Sequence, residues 1–268
     1  MSVQDILNAV HVNMPYQMLV DTYLPLIVKE NINPEIGFDC FVLDRYKRSD
    51  FTDTAKRIKD QGLSVTFHAP FFDLRPGALD RKVREVTIER LKQVFDLVPL
   101  FGPKSVVCHA SFDERYYVSK EDEWLENSRE TWRHFLTIAG ETDTMIAIEN
   151  VYEADPLYLK RLLDTFEDSP RISFCFDTGH FNAFSEAPLD SWMDELGSSI
   201  GQVHLHDNRG FKDEHVAVGE GTFPFFEFFE RLKKNSKSLI ITLEPHTEET
   251  LWRTLENIEK MNLLEGLV

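Results

Sequence analysis

MIAIENVYEADPLYLKRLLDTFEDSPRISFCFDTGH, residues 145–180, contains two short apolar runs separated by an amphipathic segment. The run at 174–176, like that at 106–108, is apolar on both alternating faces, which is typical of strands buried between a core and a helix layer. Between them, Asp155 followed by Pro156 is a favourable start for a helix. A strand, a helix and a second strand in this order predict a crossover unit with parallel strands.

The same alternation continues in both directions along the 268 residues. Strands are predicted at residues 9–13, 35–39, 64–68, 105–109, 145–149, 172–177, 201–206 and 239–244. Helices are predicted at residues 16–30, 49–61, 79–100, 120–139, 156–166, 189–196, 223–233 and 248–261. Strand–helix units in this number predict an α/β fold, a single (β/α)8 barrel domain over residues 1–268, with an open doubly wound sheet as the alternative.

The composition excludes several classes of protein. Hydrophobic residues make up 42% and charged residues 28%, as in globular proteins. No apolar run reaches the roughly 18 residues of a membrane span. The 46 acidic residues outnumber the 29 basic ones, and the net charge of −17 disfavours a nucleic-acid partner bound through clustered Lys and Arg.

The cysteines and the N-terminal sequence bear on the cellular compartment. Cys40, Cys108 and Cys175 are widely spaced and form no CxxC pair, so we expect free thiols in a reducing environment. The first residues lack the basic and apolar regions of a signal peptide. We therefore expect a cytoplasmic protein.

Histidines and carboxylates concentrate at the C-terminal ends of the predicted strands. A lone histidine in such a place is more often a hydrogen-bonded structural residue, but clustering argues against that interpretation. In a closed barrel all these ends surround one mouth, so residues distant in sequence meet there. Imidazole and carboxylate together suit zinc, manganese or iron, so the pattern predicts a metal site at the mouth. The residues concerned are His68, His109, Glu149, Asp177, His180, His204, His206, Asp213, His215 and Glu244.

Other positions allow both a functional and a structural interpretation. His11, Glu35 and Asp39 lie at the predicted ends of the first two strands, where they line the mouth or only cap an element. Arg75 and Arg209, in loops after strands, are candidates for binding a phosphate or carboxylate, with surface solubility as the alternative. His206 is a third candidate for contact with the substrate. The aromatic segment 223–229 is predicted to pack as a helix on the barrel.

Several short stretches resemble the xylose-isomerase-like barrel superfamily, in the branch that includes the endonuclease IV type apurinic-site enzymes. The resemblance runs from about residue 64 to the end, and more weakly over the start. The stretches are Phe67-His68-Ala69-Pro70, Val107-Cys108-His109, Ile148-Glu149-Asn150, Phe176-Asp177-Thr178-Gly179-His180, Val203-His204-Leu205-His206-Asp207, Asp213-Glu214-His215 with Gly219 and Gly221, and Leu243-Glu244.

The endonuclease IV resemblance implies up to three divalent ions, Zn²⁺, Mn²⁺ or Fe²⁺. Each ion has its own ligands, and one carboxylate bridges the first two ions. The implied sets are His68, His109 and Glu149 for the first ion, Glu149, Asp177, His204 and Glu244 for the second, and His180, Asp213 and His215 for the third.

Sugar isomerases and epimerases of the same superfamily use one ion. The resemblance implies that their ligands correspond to Glu149, Asp177, His204 and Glu244, and that the two glutamates also move the proton. The larger ligand set favours metal-assisted hydrolysis of a phosphoester, a small-molecule phosphodiester above all, with Glu149 and Glu244 as catalytic residues. The alternative is a sugar or sugar phosphate isomerase or epimerase with one Mn²⁺ or Mg²⁺ ion. A third hypothesis, a binding protein that keeps only the barrel, is weakened by the intact ligand set.

The sequence departs from the endonuclease pattern in one respect that concerns the substrate. Glu214 stands between Asp213 and His215, where endonuclease IV has an arginine. No loop combines Arg, Lys and aromatic residues in the way that minor-groove binding requires. We therefore expect a small phosphorylated or sugar-like substrate in preference to apurinic DNA.

Overall fold

The protein is described here from a computed structural model covering residues 1–234 and 239–267. Its strands form one closed parallel barrel, in which each strand pairs with its neighbours in sequence and the first pairs with the last. They are β1 (His11–Pro15), β2 (Asn33–Gly37), β3 (Thr66–His68), β4 (Ser105–His109), β5 (Met145–Glu149), β6 (Ile172–Asp177), β7 (Ile200–Leu205) and β8 (Ile240–Leu243).

The predicted (β/α)8 barrel is confirmed, and the open doubly wound sheet is wrong. Closure depends on the β1–β8 pair, where His11 lies opposite Thr242 and Val12 opposite Leu243. The predicted bounds of β4, β5 and β6 agree with the structure, because those apolar runs are bounded on both sides by polar or turn-forming residues. The shorter β3 lacks the first two predicted residues.

Helices surround the barrel. Within the described residues they are α1 (Val3–Ala9), α2 (Tyr16–Met18), α3 (Leu24–Glu30), α4 (Cys40–Arg45), α5 (Arg48–Asp60), α6 (Arg81–Phe95), α7 (Val98–Phe101), α8 (Glu121–Thr142), α9 (Leu157–Asp164), α10 (Thr178–Phe184), α11 (Leu189–Leu196), α12 (Phe225–Lys233) and α13 (Glu248–Met261). Short helices such as α1, α4 and α10 were not predicted, since one or two turns give little periodicity.

Two predicted helices are interrupted. The helix at 16–30 contains a π-helical segment, Leu19–Tyr23, between α2 and α3. The helix at 79–100 is divided into α6 and α7. In each case a proline, Pro25 or Pro99, lies in the first turn of the second piece. Proline has no backbone N–H and suits the start of a helix better than its interior.

Alternation along the strands explains how the barrel interior is filled. Val107, Ala147 and Cys175 form a small buried cluster inside the barrel. Because side chains alternate between the two faces of a strand, the residues two positions further along point inward as well. Those residues lie at the C-terminal mouth and are His109, Glu149 and Asp177.

The outer layer is aromatic, as expected for the segment at 223–229. Phe225, Phe228 and Phe229 are buried against the barrel, and Phe226 is exposed on the opposite face of α12. Cys108 and Cys175 are buried free thiols, and Cys40 is half-buried. Within the described ranges, no helix is long and apolar enough to cross a membrane.

Candidate metal centre and active site

The mouth of the barrel holds a cavity of about 700 Å³. Strand ends supply part of its polar wall, because β3, β4 and β5 end at His68, His109 and Glu149. Among the other predicted metal ligands, Asp177 ends β6, His204 lies in β7, and the rest lie in the segments that follow β6, β7 or β8. The structure brings all of them to this end of the barrel, and the ones that line the cavity are His68, His109, Glu149, His180, Asp213, His215 and Glu244.

The first group of ligands forms around Glu149. Its Oε2 lies 2.9 Å from His109 Nε2 and 3.2 Å from His68 Nε2. His68 Nδ1 lies 3.0 Å from the backbone carbonyl of Ala69, which can only accept a hydrogen bond, so Nδ1 carries the proton. In neutral His68 the Nε2 lone pair therefore faces a carboxylate. A proton or a metal ion is needed between them.

The second group centres on His204, which is fully buried. Its Nδ1 lies 2.9 Å from Glu149 Oε1, 3.0 Å from Glu244 Oε1 and 3.7 Å from Asp177 Oδ2. Three carboxylates from different strands thus converge on one ring nitrogen. This is the four-residue set that the sequence connected with one ion.

The third group lies in the loop after β7 and in α10. Asp213 Oδ2 lies 2.9 Å from His215 Nε2 and 3.5 Å from His180 Nε2. Both histidines direct Nδ1 at a backbone carbonyl, His180 at Asn150 and His215 at Glu244. The Nε2 atoms of both rings are consequently free to face the same carboxylate.

Several buried ring and carboxylate atoms at this site lie close to a possible partner but form no hydrogen bond of regular geometry in the described part of the chain. Buried atoms of this kind are rare, because desolvation without a partner is costly. They are His109 Nε2, His206 Nδ1 and Asp213 Oδ1. Among the described residues there are five groups of three possible metal ligands, and within each group the three ligand atoms lie within 4.8 Å of one another. The donor chemistry therefore fits divalent metal ions.

The contacts between histidines and carboxylates shift pKa values in opposite directions. Burial lowers the pKa of His215, but Asp213 and Glu244 outweigh burial and raise it to about 9. The pKa of His204 is also raised, because the surrounding carboxylates outweigh burial. Burial raises the pKa of Glu244, but His204 outweighs it and holds that pKa well below the usual range. The ion-free site thus keeps protons that a metal ion would displace.

The three predicted substrate contacts lie in different places. Arg75 lines the mouth cavity. Arg209 is largely exposed and pairs with Glu214 at 3.1 Å, outside the cavity wall. His206 is buried behind the ligands, with Nε2 3.0 Å from Asp177 Oδ1 and its ring stacked on His215 at 3.8 Å. The structure therefore brings Arg75 to the cavity, and it places His206 next to a predicted metal ligand.

The structure also shows where His11 and Asp39 lie, two residues that the sequence placed either in the mouth or at the cap of an element. His11 begins β1 and so lies at the opposite end of the barrel from the mouth, with Nε2 3.0 Å from Ser64 Oγ. Asp39 lines the mouth cavity and also caps α4 by accepting the N–H of Val42 at 2.7 Å. The hypothesis that His11 lines the mouth is wrong, because the sequence pattern placed β1 two residues too early.

Glu35 supports the site from inside the barrel and was not predicted to do so. It is fully buried, and its Oε1 lies 3.1 Å from His204 Nε2. Its Oε2 accepts hydrogen bonds from Gln202 at 2.7 Å and Thr66 at 2.8 Å. The carboxylate thereby orients His204 with Nδ1 toward the mouth. The available signal was an acidic residue within a predicted barrel strand.

Glu153, in the loop after β5, is a second functional candidate that the sequence did not indicate. Its side chain lines the cavity although the residue is only 6% exposed. Oε2 accepts the N–H of Val151 at 2.7 Å, and Oε1 has no partner within the described residues. Burial raises the pKa of this carboxyl to about 7. No local pattern distinguishes it from the many surface glutamates.

Comparison with known sequences gives the following matches. A family model described as a xylose isomerase-like TIM barrel matches residues 34–262. An uncharacterized protein of Methanocaldococcus jannaschii, MJ1311, is 30% identical over 189 residues, which are 68% of this chain and 64% of that protein. The chain thus spans slightly less than two thirds of that relative. A probable endonuclease 4 of Symbiobacterium thermophilum is 25% identical over 178 residues, 60% of this chain and 63% of that protein.

Solved structures with the same fold include sugar epimerases. A structure described as a D-tagatose 3-epimerase-like protein has a TM-score of 0.80 and 23% identity, covering 97% of this chain and 100% of that one. An L-ribulose 3-epimerase has a TM-score of 0.73 and 17% identity, covering 96% of this chain and 95% of that one. At such identities the likeness shows the shared fold.

Proposed function

The chain belongs to the xylose isomerase-like TIM barrel family, and from this premise we propose that it is a metal-dependent epimerase or isomerase of a sugar or sugar phosphate. The observation that carries the proposal is the convergence of Glu149, Glu244 and Asp177 on His204 Nδ1. The sugar epimerases of the same fold support it better than they support the phosphoester hydrolase that the sequence favoured.

The same four residues, Glu149, Asp177, His204 and Glu244, would hold a divalent ion such as Mn²⁺, Zn²⁺ or Fe²⁺. When bound, the ion would polarise a carbonyl oxygen of the substrate and so acidify the neighbouring C–H bond. Nitrogen and carboxylate ligands together suit these metals.

Two carboxylates from different sides of the mouth can carry the proton transfer. Glu149 ends β5, and Glu244 directly follows β8. One carboxylate removes the proton from the carbon next to the carbonyl, and the electron pair moves toward the carbonyl oxygen. The other, as a carboxylic acid, returns a proton to the opposite face of that carbon, which inverts its configuration.

Glu153 supplies a further polar group to the cavity wall. Because its pKa is raised to about 7, the carboxyl is present in both protonation states at neutral pH. At the cavity wall the carboxyl can therefore act as a hydrogen-bond acceptor when it is ionised and also as a donor when it is protonated.

Solvent deuterium exchange tests the proposal. The Mn²⁺-loaded protein is incubated in D₂O with D-tagatose, L-ribulose and their phosphates, and deuterium is sought by NMR at the carbon next to the carbonyl. We expect exchange in the wild type, none in Glu149→Gln or Glu244→Gln, and full exchange in His134→Gln, which removes an exposed helical histidine. Absence of exchange with a wider panel of ketoses and ketose phosphates would overturn the proposal.

Phosphoester hydrolysis is the second candidate, favoured by a specific observation. The groups His68–His109–Glu149 and His206–Asp213–His215 provide donor atoms that a site for one ion does not require. Clustered ions could activate water and stabilise both oxygens of a displacement. Two or three metal equivalents per chain, together with hydrolysis of bis(4-nitrophenyl) phosphate that depends on His109, would favour it. One equivalent that survives His109→Gln would exclude it.

A further inference from the structure

Arg75 occupies an unusual position among the basic residues. It is the one Lys or Arg in the wall of the mouth cavity, as far as the described residues show. Most arginines of this acidic chain pair with a carboxylate, as Arg115 does with Asp113. Arg75 has no carboxylate within 4.0 Å in the described part of the chain. An arginine that lines the cavity and has no carboxylate beside it can pair with an anionic group of a bound ligand.

The loop that carries Arg75 is held firmly in place. The N–H of Arg75 donates to Thr87 Oγ1 at 2.9 Å, and its carbonyl accepts the N–H of Ala78 at 3.1 Å. At Gly77 the backbone lies so close to α8 that an added Cβ would be 2.4 Å from Trp124 Cδ1. This loop therefore presents Arg75 to the cavity from a fixed backbone.

The Arg75 side chain is positioned by aromatic residues. Its guanidinium lies over the ring of Tyr116, 4.2 Å from the ring centre. Tyr117, next to it in sequence, is buried, and burial raises the pKa of its hydroxyl while nearby Arg75 opposes the rise. A guanidinium stacked by its face keeps its N–H edge available for a bidentate contact with a phosphate or carboxylate.

We infer that Arg75 binds an oxyanion carried by the substrate, so that the substrate is a sugar phosphate or a sugar acid and not a neutral sugar. This inference rests on the proposed function, since it assigns a substrate class to the same cavity. The volume of about 700 Å³ lies within the range of cavities that hold molecules larger than a single small sugar.

Matched ligands and matched variants test this inference. Binding of D-tagatose, D-tagatose 6-phosphate and D-tagaturonate to the Mn²⁺-loaded protein is measured by calorimetry. The variants are Arg75→Met and Arg75→Lys, with Arg115→Met as a control that removes a paired arginine from a neighbouring loop. Thermal unfolding establishes that each variant is folded.

We expect Arg75→Met to weaken binding of the phosphate or the acid by about 10- to 100-fold and to leave the neutral sugar unaffected. Arg75→Lys should retain part of the affinity for the charged sugar, and Arg115→Met should retain the full affinity. Which charged sugar loses affinity distinguishes a phosphate from a carboxylate as the recognised group. Unchanged binding of both charged sugars in Arg75→Met would overturn the inference, as would wild-type protein that binds neither of them better than D-tagatose.

The two proposals fail in distinguishable ways. If Arg75→Met weakens binding of a charged sugar but no sugar exchanges deuterium, the result supports the anion site and contradicts the epimerase function. If neutral sugars exchange deuterium and Arg75→Met does not change the binding of charged sugars, the result supports the epimerase function and contradicts the anion site.

Discussion

At the scale of single residues, the protonation of the histidines is set by the backbone around them. His68, His180 and His215 each direct Nδ1 at a backbone carbonyl oxygen, at 3.0, 3.0 and 2.9 Å. A carbonyl can only accept, so in the neutral ring the proton stays on Nδ1 and the lone pair on Nε2. That arrangement suits a metal ligand, and it requires the fold to bring a carbonyl to each ring.

Glu35 acts on the site indirectly, through its contact with the predicted ligand His204. Replacing it by glutamine should weaken metal binding by about 10- to 100-fold, because His204 loses the carboxylate that orients its ring. Titration of the apo-protein with Mn²⁺ measures the affinity. Glu214→Gln is the matched control, since Glu214 pairs with Arg209 and contacts none of the predicted ligands' rings in the described structure. Equal affinities in wild type and Glu35→Gln would show that packing alone orients His204.

Glu153 predicts a specific dependence of stability on pH. Its pKa is raised from 4.5 to about 7 by burial, so the folded state holds its proton more tightly than the unfolded state. The contribution of protonated Glu153 to the free energy of unfolding is fully present below pH 4.5 and is lost as the pH rises through about 7. Glu153→Gln stays neutral throughout. In the metal-free protein we expect the variant to gain about 3 kcal/mol relative to wild type between pH 4.5 and 8.

Urea unfolding at several pH values measures this difference. Other titrating groups are common to both proteins and cancel in the comparison. A constant difference in unfolding free energy from pH 4.5 to 8 would contradict the prediction and indicate that Glu153 reaches water.

At the scale of elements, the loop after β7 is organised by one carboxylate. Asp207 Oδ2 accepts the N–H groups of Gly219 and Gly221 at 3.1 and 2.8 Å. Oδ1 accepts the N–H of Phe223 at 3.2 Å. These bonds close the loop that carries Asp213 and His215, so the third ligand group depends on Asp207.

Gly221 leaves no space for a side chain in that loop. An added Cβ would lie 2.1 Å from the carbonyl oxygen of Asn208 and 2.3 Å from Asp207 Oδ1. Gly221→Ala must therefore displace backbone, and we expect a loss of about 1–3 kcal/mol. The matched control is Gly140→Ala, near the end of α8, where nothing lies within 4 Å and alanine should stabilise by about 0.5–1 kcal/mol.

Thermal unfolding of the two variants gives opposite shifts if this geometry holds. A melting temperature of Gly221→Ala equal to that of wild type would mean that the loop can open without cost. In that case Asp207 would not organise the third ligand group.

At the scale of the whole molecule, the predicted ligands connect six of the eight strands. His68 belongs to β3, and Glu244 follows β8, with the other ligands on or after the strands between them. A bound ion would therefore link parts of the barrel that are distant in sequence. The abundance of carboxylates in a chain with a net charge of −17 also draws divalent cations to the mouth.

Metal binding should consequently stabilise the entire barrel. At a free Mn²⁺ concentration 100 times the dissociation constant, the gain is about 2.7 kcal/mol for one site. We expect the melting temperature to rise with Mn²⁺, to return after chelation, and to respond little in Glu149→Gln, which loses a ligand shared by two groups. If Mn²⁺ does not change the melting temperature of the wild type, the prediction of a metal site is contradicted.

The barrel and the candidate ligands could be predicted from the amino-acid sequence. Strand periodicity is a local property. The first and last residues of β4, β5 and β6 could therefore be predicted from the apolar runs that form these strands. Once the strands are arranged in a barrel, the residues at their ends share one mouth, which is why His68, Glu149 and other distant residues could be predicted to meet.

The side chains that support those ligands, and those that line the cavity, became evident from the three-dimensional arrangement of the chain. Glu35 and Glu153 resemble ordinary acidic residues in sequence, yet one lies inside the barrel beneath His204 and the other lines the cavity. Arg75 and Arg209 are alike as loop arginines, but Glu214 pairs with Arg209 alone. These differences depend on contacts between segments far apart in the chain, and local periodicity carries no information about such contacts.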